Sequence, residues 1–350
     1  MGIWYGALFV IAAVLVIAVT PAVRAVALRV NAVDHGGGRR VHDGRIPRLG
    51  GVALFVAACG SLAVAEMLGL ELQQTLHSYG WHLDLLATGA LAVVLVGAAD
   101  DLYGVPAPIK LAVVTIAAMV TAQGGYGFSA VTNPFSGGVI SLAPFGGLLT
   151  VLWIVAITNA FNLIDGLDGL ATGTGLIAAI TLFLIALAEG RPDAALLASA
   201  LAGTLTGFLR FNFAPASIFL GDAGSLLLGY LLSVLSIQSL QKGPTAVVIL
   251  VPMLTLGLPI LETAVTVVRR VLVDGIASVF RADREHIHHR LLELGMTHRR
   301  AVLVLYAVCA AFGALAFIAI SVRGLGNAAI VGGVAVGTYF GIRKLGYRVR

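Results

Sequence analysis

The chain has 350 residues, of which 59% are hydrophobic and only 11% are charged, far below the roughly 25% charged residues of ordinary soluble domains. This composition argues against a soluble globular protein and indicates one that crosses a membrane many times. Although the formal net charge is +5, no basic stretch is interleaved with aromatic residues in the manner of a nucleic-acid site, so we expect no nucleic-acid partner.

Apolar runs of about 17 to 25 residues, each long enough to cross a bilayer as a helix, recur along the chain. We therefore predict an all-α, polytopic membrane protein in which residues 1–350 form a single integral membrane domain. About eleven transmembrane helices are expected, centred on 3–23, 50–68, 84–99, 108–123, 146–161, 171–188, 193–209, 224–240, 245–268, 301–322 and 327–342. The first segment lacks the features of a signal peptide, and we expect it to be retained.

Lysines and arginines predict the orientation, because basic residues remain on the cytoplasmic side of short loops. With the N-terminus outside and the C-terminus in the cytoplasm, all of the 22 basic residues except Arg191, Lys242 and Arg323 fall on the cytoplasmic face. Acidic residues, which are rare in membrane spans, cluster on the same face. The predicted cytoplasmic active-site loops are about 24–49, 100–108, 162–170, 210–223 and 269–300.

The first acidic group is "ADDLYGVPAPIK", in which Asp100 and Asp101 end one span and Lys110 opens the next. Adjacent carboxylates repel each other unless a cation lies near them. Mg²⁺ would suit this position, because it prefers carboxylate and phosphate oxygens. The alternative is a solvated pair that only ends a helix.

The second group is "NAFNLIDGLDGL". Asn159, Asn162 and Asp165 recur every three residues, which places them on one face of a helix, and Asp168 extends that face if the turn remains helical. The following glycines allow backbone N–H groups to approach a ligand closely. A polar helix end followed by a glycine turn is the alternative.

The third group is "FLGDAGSLLLG", where Asp222 lies between glycines just before an apolar helix. A helix N-terminus offers free N–H groups and a positive dipole end, which suits phosphate binding directly or through a metal. Asp222 could instead serve only as an N-cap.

The fourth group is "RADREHIHHRLLELG", with His286, His288 and His289 among several arginines. The spacing does not match a zinc motif, and the histidines resemble donors to a phosphate-rich anion. The alternative is a basic patch that only enforces topology. One acidic residue, Glu262, remains inside a span, and we interpret it as a structural or site-lining residue.

Together, "VHDGRIPRLGG", "ADDLYGVPAPIK", "NAFNLIDGLDGL", "FLGDAGSLLLG" and "HIHHRL" resemble the ordered motifs of the polyprenyl-phosphate N-acetylhexosamine-1-phosphate transferases. The resemblance covers about residues 31 to 292. Ile287 separates His286 from His288, which resembles the WecA/TagO type of these enzymes more than the phospho-MurNAc-pentapeptide transferases with their three consecutive histidines. The first loop departs from the family, with "VDHGGGRR" where a Pro-Asn pair is common, so Asp34 and Arg39 receive no firm role.

The resemblance implies a magnesium-dependent enzyme, with Mn²⁺ as a substitute, that transfers N-acetylhexosamine 1-phosphate from a UDP-sugar to undecaprenyl phosphate. GlcNAc 1-phosphate is the default group. UMP is released, and the lipid-linked product initiates a cell-envelope glycan. The implied location is the bacterial cytoplasmic membrane, with the site on its cytoplasmic face and the lipid bilayer as a partner. A homodimer is a further option.

Motif by motif, the resemblance implies catalytic roles for Asp100, as candidate base, and for Asp101, Asp165, Asp222 and His288. Asp101 and Asp222 would hold the metal. Substrate binding is implied for His42, Arg45, Lys110, Asn159, Asn162, Asp168, Arg281, His286 and His289. Direct transfer and a covalent aspartyl intermediate are both compatible with this spacing.

Rival interpretations are a phospho-MurNAc-pentapeptide transferase-like activity, a metal-dependent lipid phosphatase or CDP-alcohol-type transferase, and a secondary transporter with acidic ion sites. A transporter should carry its carboxylates near the middle of its spans. The acidic groups here lie at span ends on one face, which favours the transferase.

Overall fold

The computed structural model describes residues 2–34, 45–69, 82–128, 130–132, 139–239, 250–274, 286–322 and 325–344. Helices dominate these residues. They are α1 (Gly2–Arg29), α2 (Gly50–Met67), α3 (Leu83–Tyr103), α4 (Ala107–Gln123), α5 (Gly146–Ile164), α6 (Leu170–Ala188), α7 (Pro192–Asn212), α8 (Gly221–Gln238), α9 (Leu250–Thr255), α10 (Gly257–Asp274), α11 (Ile287–Glu293), α12 (His298–Ser321) and α13 (Leu325–Lys344).

Long apolar helices confirm the prediction of an all-α, polytopic membrane protein. Within the described ranges, seven helices are long and apolar enough to cross a membrane, namely α1, α2, α3, α5, α6, α7 and α12. The described residues of each predicted span are largely helical. The predicted span 245–268 differs in detail, because its described part is divided at Leu256 into α9 and α10. Pro259 lies in the first turn of α10, where a missing N–H is tolerated.

Helix α8 lies at the centre of the bundle and packs against α2, α3, α5 and α6. Nearly every residue from Ala223 to Gln238 is buried, which explains why this helix is apolar on all sides. On the outside of this core, α1 packs against α2 and α7, while α12 packs against α6. The N-terminus of α8, which carries Asp222, is thereby held in place by its neighbours.

Two short antiparallel hairpins were not anticipated from the sequence. Strand β1 (Val33–Asp34) pairs with β2 (Ile46–Pro47), so that Asp34 lies opposite Ile46, and β3 (Ala130–Thr132) pairs with β4 (Val139–Ser141). The N–H of Phe219 donates a 2.8 Å hydrogen bond to the carbonyl of Pro47, and the N–H of Gly51 donates a 2.9 Å bond to the carbonyl of Leu220. The first hairpin is thus fastened beside the start of α8.

Close contact at this junction depends on glycine. A Cβ atom built on Gly51 would collide with the backbone of Ala223 and Gly224 at the start of α8. The absence of a side chain therefore lets α2 approach α8 at backbone distance.

Candidate active site

A cavity of about 290 Å³ lies at the end of the bundle where α8 begins. Every one of the five predicted active-site loops contributes to it. Its lining residues are Asp34, Arg48, Asp101, Asn162, Asp165, Gly166, Leu167, Asp168, Asn212, Phe219, Leu220, Gly221, Asp222, His289 and His298.

Asp101 caps α8 from the neighbouring helix. Leu220, at the N-cap position of α8, provides no side-chain hydrogen bond to the first turn. The buried carboxylate of Asp101 accepts hydrogen bonds from the N–H groups of Asp222, at 3.0 Å, and Ala223, at 3.2 Å. Asp101 thereby satisfies two of the N–H groups that any helix start leaves open and sets the position of Asp222.

Lys110 joins two further carboxylates beside this helix start. Its Nζ lies 2.7 Å from Oδ2 of Asp222 and 3.2 Å from Oδ2 of Asp100. Asp100 also accepts a 2.6 Å hydrogen bond from the N–H of Val105, in the turn between α3 and α4. Because the ammonium group neutralises part of the acidic charge, two carboxylates can remain close together.

The turn from α5 to α6 forms the opposite wall. The amide of Asn162 donates a 2.9 Å hydrogen bond to Oγ of Ser225 on α8. The carboxylate of Asp168 accepts a 3.0 Å bond from the N–H of Ala216, and its own N–H donates to Nε2 of His298 at 3.2 Å. This turn is therefore tied to α8, to α12 and to the α7–α8 connection.

Asp165 lies between these tied residues and is partly buried. Burial, together with the nearby carboxylates of Asp222 and Asp101, raises its pKa well above the ordinary value for an aspartate. A cation bound near clustered carboxylates lowers their pKa values and so favours the ionised form. The wall is thus electrostatically suited to a positively charged partner.

The histidine motif packs behind this wall. Nε2 of His288 lies where a Cβ atom of Gly166 would stand, so the glycine allows the imidazole to touch the backbone of the turn. Burial, followed by the neighbouring His289, His286 and His298, lowers the pKa of His288 well below its ordinary value. His288 is therefore a neutral imidazole at physiological pH.

Comparison of the sequence with known proteins assigns the chain to an enzyme family. The sequence model of Glycosyl transferase family 4 matches residues 83–240. A probable undecaprenyl-phosphate N-acetylglucosaminyl 1-phosphate transferase of Bacillus subtilis (strain 168) is 37% identical over 300 residues, which cover 86% of this chain and 80% of the relative. The chain belongs to the family of polyprenyl-phosphate N-acetylhexosamine-1-phosphate transferases. It is a glycosyl-1-phosphate transferase, and the family resemblance drawn from its motifs is confirmed.

Two further relatives support this family assignment. The transferase is 34% identical to the decaprenyl-phosphate N-acetylglucosaminephosphotransferase of Mycobacterium tuberculosis (strain ATCC 25618 / H37Rv), over 93% of this chain and 86% of the relative. It is 27% identical to the undecaprenyl-phosphate alpha-N-acetylglucosaminyl 1-phosphate transferase of Escherichia coli (strain K12), over 84% of this chain and 78% of the relative. Family membership sets aside the transporter interpretation.

Most of the predicted site residues in the transferase come together. Those that line the cavity are Asp101, Asn162, Asp165, Asp168, Asp222 and His289. Asp100 and Lys110 contact Asp222 from the side, and His286 and His288 lie in the supporting histidine cluster.

Other predicted residues lie apart from the cavity or outside the described residues. The amide of Asn159 donates to the carbonyl of Val155 within α5. Arg45 is exposed and donates to Oδ1 of Asn31 at 3.1 Å. His42 and Arg281 fall outside the described residues, and their roles stay predictions.

Sequence reasoning assigned no site role to four polar or charged residues that line the cavity of the transferase, namely Asp34, Arg48, Asn212 and His298. Arg48 stands in the quoted motif "VHDGRIPRLGG", three residues after Arg45, so a signal for it was present. Asn212 and His298 lie at helix ends without a distinctive pattern, and only the fold brings them to the cavity.

Proposed function

We propose that the transferase moves N-acetylhexosamine 1-phosphate, with GlcNAc 1-phosphate as the first choice, from a UDP-sugar to undecaprenyl phosphate. An oxygen of the lipid phosphate bonds to the phosphorus that carries the sugar. The bond between that phosphorus and the oxygen bridging to the uridine phosphate breaks, and UMP leaves. The product is a lipid-linked sugar diphosphate, with which synthesis of a cell-envelope glycan begins.

The observation that carries this proposal is the arrangement around Asp222. Its carboxylate lies at the N-terminus of α8, is paired with Lys110, and faces the same cavity as Asn162 and Asp165. Phosphoryl transfer depends mainly on positioning and on neutralising phosphate charge. A site that combines fixed acids, a cation and an amide group supplies both.

Magnesium fits the chemistry of these residues. Among the described residues, no three histidine, cysteine or acidic side chains converge on one point as a preformed metal cage. Mg²⁺ is commonly held by only one or two carboxylates together with substrate phosphates and water. Asp222 and Asp165 would be its protein ligands, and the bound ion would neutralise charge on the transferred phosphate.

Asp101 has a more restricted part in this scheme. The sequence resemblance implied that it holds the metal with Asp222, but its two carboxylate oxygens accept hydrogen bonds from the start of α8. We propose that Asp101 orients Asp222, and that any metal contact is additional to this role. Asp100, with Lys110 beside it, remains the candidate base at the lipid phosphate.

The proposed location is the cytoplasmic membrane of a bacterium, with the cavity on the cytoplasmic face. The relatives named above come from bacteria, and the basic residues favour this orientation. A UDP-sugar dissolved in the cytoplasm and a lipid phosphate at the inner headgroup level would then meet at one site.

A direct assay tests this function. The purified protein is incubated with undecaprenyl phosphate, Mg²⁺ and radiolabelled UDP-GlcNAc, and in parallel with UDP-GalNAc and UDP-MurNAc-pentapeptide. We expect labelled lipid and an equal amount of UMP with UDP-GlcNAc, and no product after addition of EDTA. No lipid product from any of the three donors would refute the proposal, and product only from the pentapeptide donor would replace the donor assignment.

A further inference from the structure

Arg48 occupies the cavity wall that is built by the first hairpin. Its Nη2 lies 2.5 Å from Oδ2 of Asp34. The Asp34 side chain is 5% exposed, whereas that of Arg48 is 26% exposed. Both residues line the cavity, so a buried carboxylate is paired here with an arginine side chain that remains partly exposed.

The peptide group between Pro47 and Arg48 is held at both its N–H and its carbonyl. Its N–H donates a 2.9 Å hydrogen bond to the carbonyl of Ala32, and the preceding carbonyl of Pro47 accepts from Phe219 at 2.8 Å. The guanidinium is thus anchored by its side-chain partner and by a backbone that is joined to the start of α8. A group held in this way loses little further freedom when it binds a ligand.

The charge around Arg48 is otherwise acidic. Asp101 and Asp222 interact electrostatically with its guanidinium, as does Asp165. Arg48 is the only lysine or arginine among the described residues that line the cavity. A phosphate group that entered this acidic space would find its strongest attraction at this guanidinium.

The two cations near Asp222 face different sides of the site. Lys110 lies between Asp222 and Asp100 and is not among the described lining residues. Arg48 shares the cavity with Asn162 and Asp165, for which the family resemblance implies substrate-binding and catalytic roles. Two cations placed in this way can neutralise two different phosphates.

We propose that Arg48 is a substrate-binding residue that holds the diphosphate of the nucleotide-sugar donor, and that Asp34 is the positioning residue that aims its guanidinium. The inference rests on the proposed function. A guanidinium presents a planar fork of N–H donors that matches two phosphate oxygens, which a lysine ammonium cannot reproduce. Asp34 holds one edge of that fork and leaves other donors for the ligand.

Binding of uridine, UMP and UDP-GlcNAc to the full-length protein tests the inference by titration calorimetry at one fixed Mg²⁺ concentration. The variants are Arg48→Met, Arg48→Lys and Asp34→Asn, and Arg29→Met is the matched control because Arg29 is exposed at the end of α1. We expect Arg48→Met to weaken UMP and UDP-GlcNAc about tenfold or more, a usual effect of losing a charged hydrogen bond. Uridine should change less than about twofold.

Arg48→Lys should fall between Arg48→Met and wild type, and Asp34→Asn should weaken the same two phosphate ligands to a smaller degree. In turnover assays, Arg48→Lys should raise KM for UDP-GlcNAc and leave KM for undecaprenyl phosphate unchanged. Unaltered binding of UMP by Arg48→Met would overturn the inference. Equal weakening of uridine would also overturn it, because that result indicates a role in cavity shape.

A rise in KM for undecaprenyl phosphate alone would move Arg48 to the acceptor phosphate and refute the donor assignment. If the wild-type protein bound UMP but formed no lipid product, the proposed function would fail while the comparison of UMP with uridine still decided the role of Arg48. Wild-type protein that bound neither UMP nor UDP-GlcNAc would refute both.

Discussion

Oε1 of Glu262, on α10, lies 3.0 Å from Nδ1 of His286 and accepts a 2.8 Å hydrogen bond from the N–H of Ile287. This buried carboxylate therefore holds the first turn of α11, the helix that carries His289 to the cavity and His288 to the cluster behind its wall. We expect Glu262→Gln, which keeps an oxygen for Ile287 but removes the charge beside His286, to lower kcat about tenfold. The melting temperature should stay near that of the wild type.

Glu262→Ala provides the comparison, because it removes the acceptor as well as the charge. It should lower the melting temperature by a few degrees, since a buried N–H then loses its partner at a cost of about 1 to 3 kcal/mol. Activity assays and differential scanning fluorimetry in detergent measure both effects. Wild-type kcat in Glu262→Gln would show that the carboxylate charge has no part in placing the histidines.

Asp101 and Asp222 should respond differently to the same change. Asp101→Asn turns an NH₂ group toward backbone N–H donors of α8, so we expect a lower melting temperature together with loss of turnover. Asp222→Asn leaves those backbone contacts intact and should lose turnover by about a hundredfold or more with little change in melting temperature. An Asp101→Asn protein as thermostable as the wild type would argue against the capping role.

Lys110→Met should separate cation binding from turnover. Removal of the ammonium leaves the Asp100 and Asp222 carboxylates without their shared counterion, so Mn²⁺, used as a spectroscopic probe, should bind severalfold more tightly. Turnover should nevertheless fall about a hundredfold, because a phosphate-facing cation is lost.

Electron paramagnetic resonance of free Mn²⁺ measures the affinity, and Lys110→Arg is the charge-conserving control. Weaker Mn²⁺ binding in Lys110→Met would contradict the counterion role.

The fold class could be predicted because membrane insertion leaves a strong signal in the sequence. Apolar runs such as Ile3–Arg29 and Leu170–Ala188 must satisfy their own backbone hydrogen bonds in lipid, and a helix does so within one segment. The β1–β2 hairpin was not predictable in this way. It consists of two-residue strands whose stability comes from contacts with Phe219, far away in the sequence.

Site residues that belong to compact sequence motifs could be predicted, whereas residues without such a motif could not. Asp101, Asp165 and Asp222 stand out because a carboxylate beside a membrane span is costly. Arg48 does not stand out, since one more arginine in a basic loop is what topology alone predicts. Arg48 differs from Arg45 in its ion pair with Asp34. Asp34 and Arg48 become adjacent only when the hairpin folds.

An ion pair far from the cavity should control stability without affecting catalysis. Arg191 binds Asp193 in a bidentate manner, with Nε to Oδ1 at 3.0 Å and Nη2 to Oδ2 at 2.6 Å, and both side chains are almost fully buried. They lie at the end of α7 opposite Asn212, about 30 Å from the cavity at 1.5 Å per helical residue. Asp193→Ala leaves a buried arginine charge without this partner and should destabilise the fold by about 3 to 5 kcal/mol.

The double variant Arg191→Leu/Asp193→Leu should recover much of that loss, because no charge is then buried. Melting curves and kcat/KM at a permissive temperature measure the two effects. A folded Asp193→Ala protein with reduced kcat/KM would show that this ion pair also influences the active site.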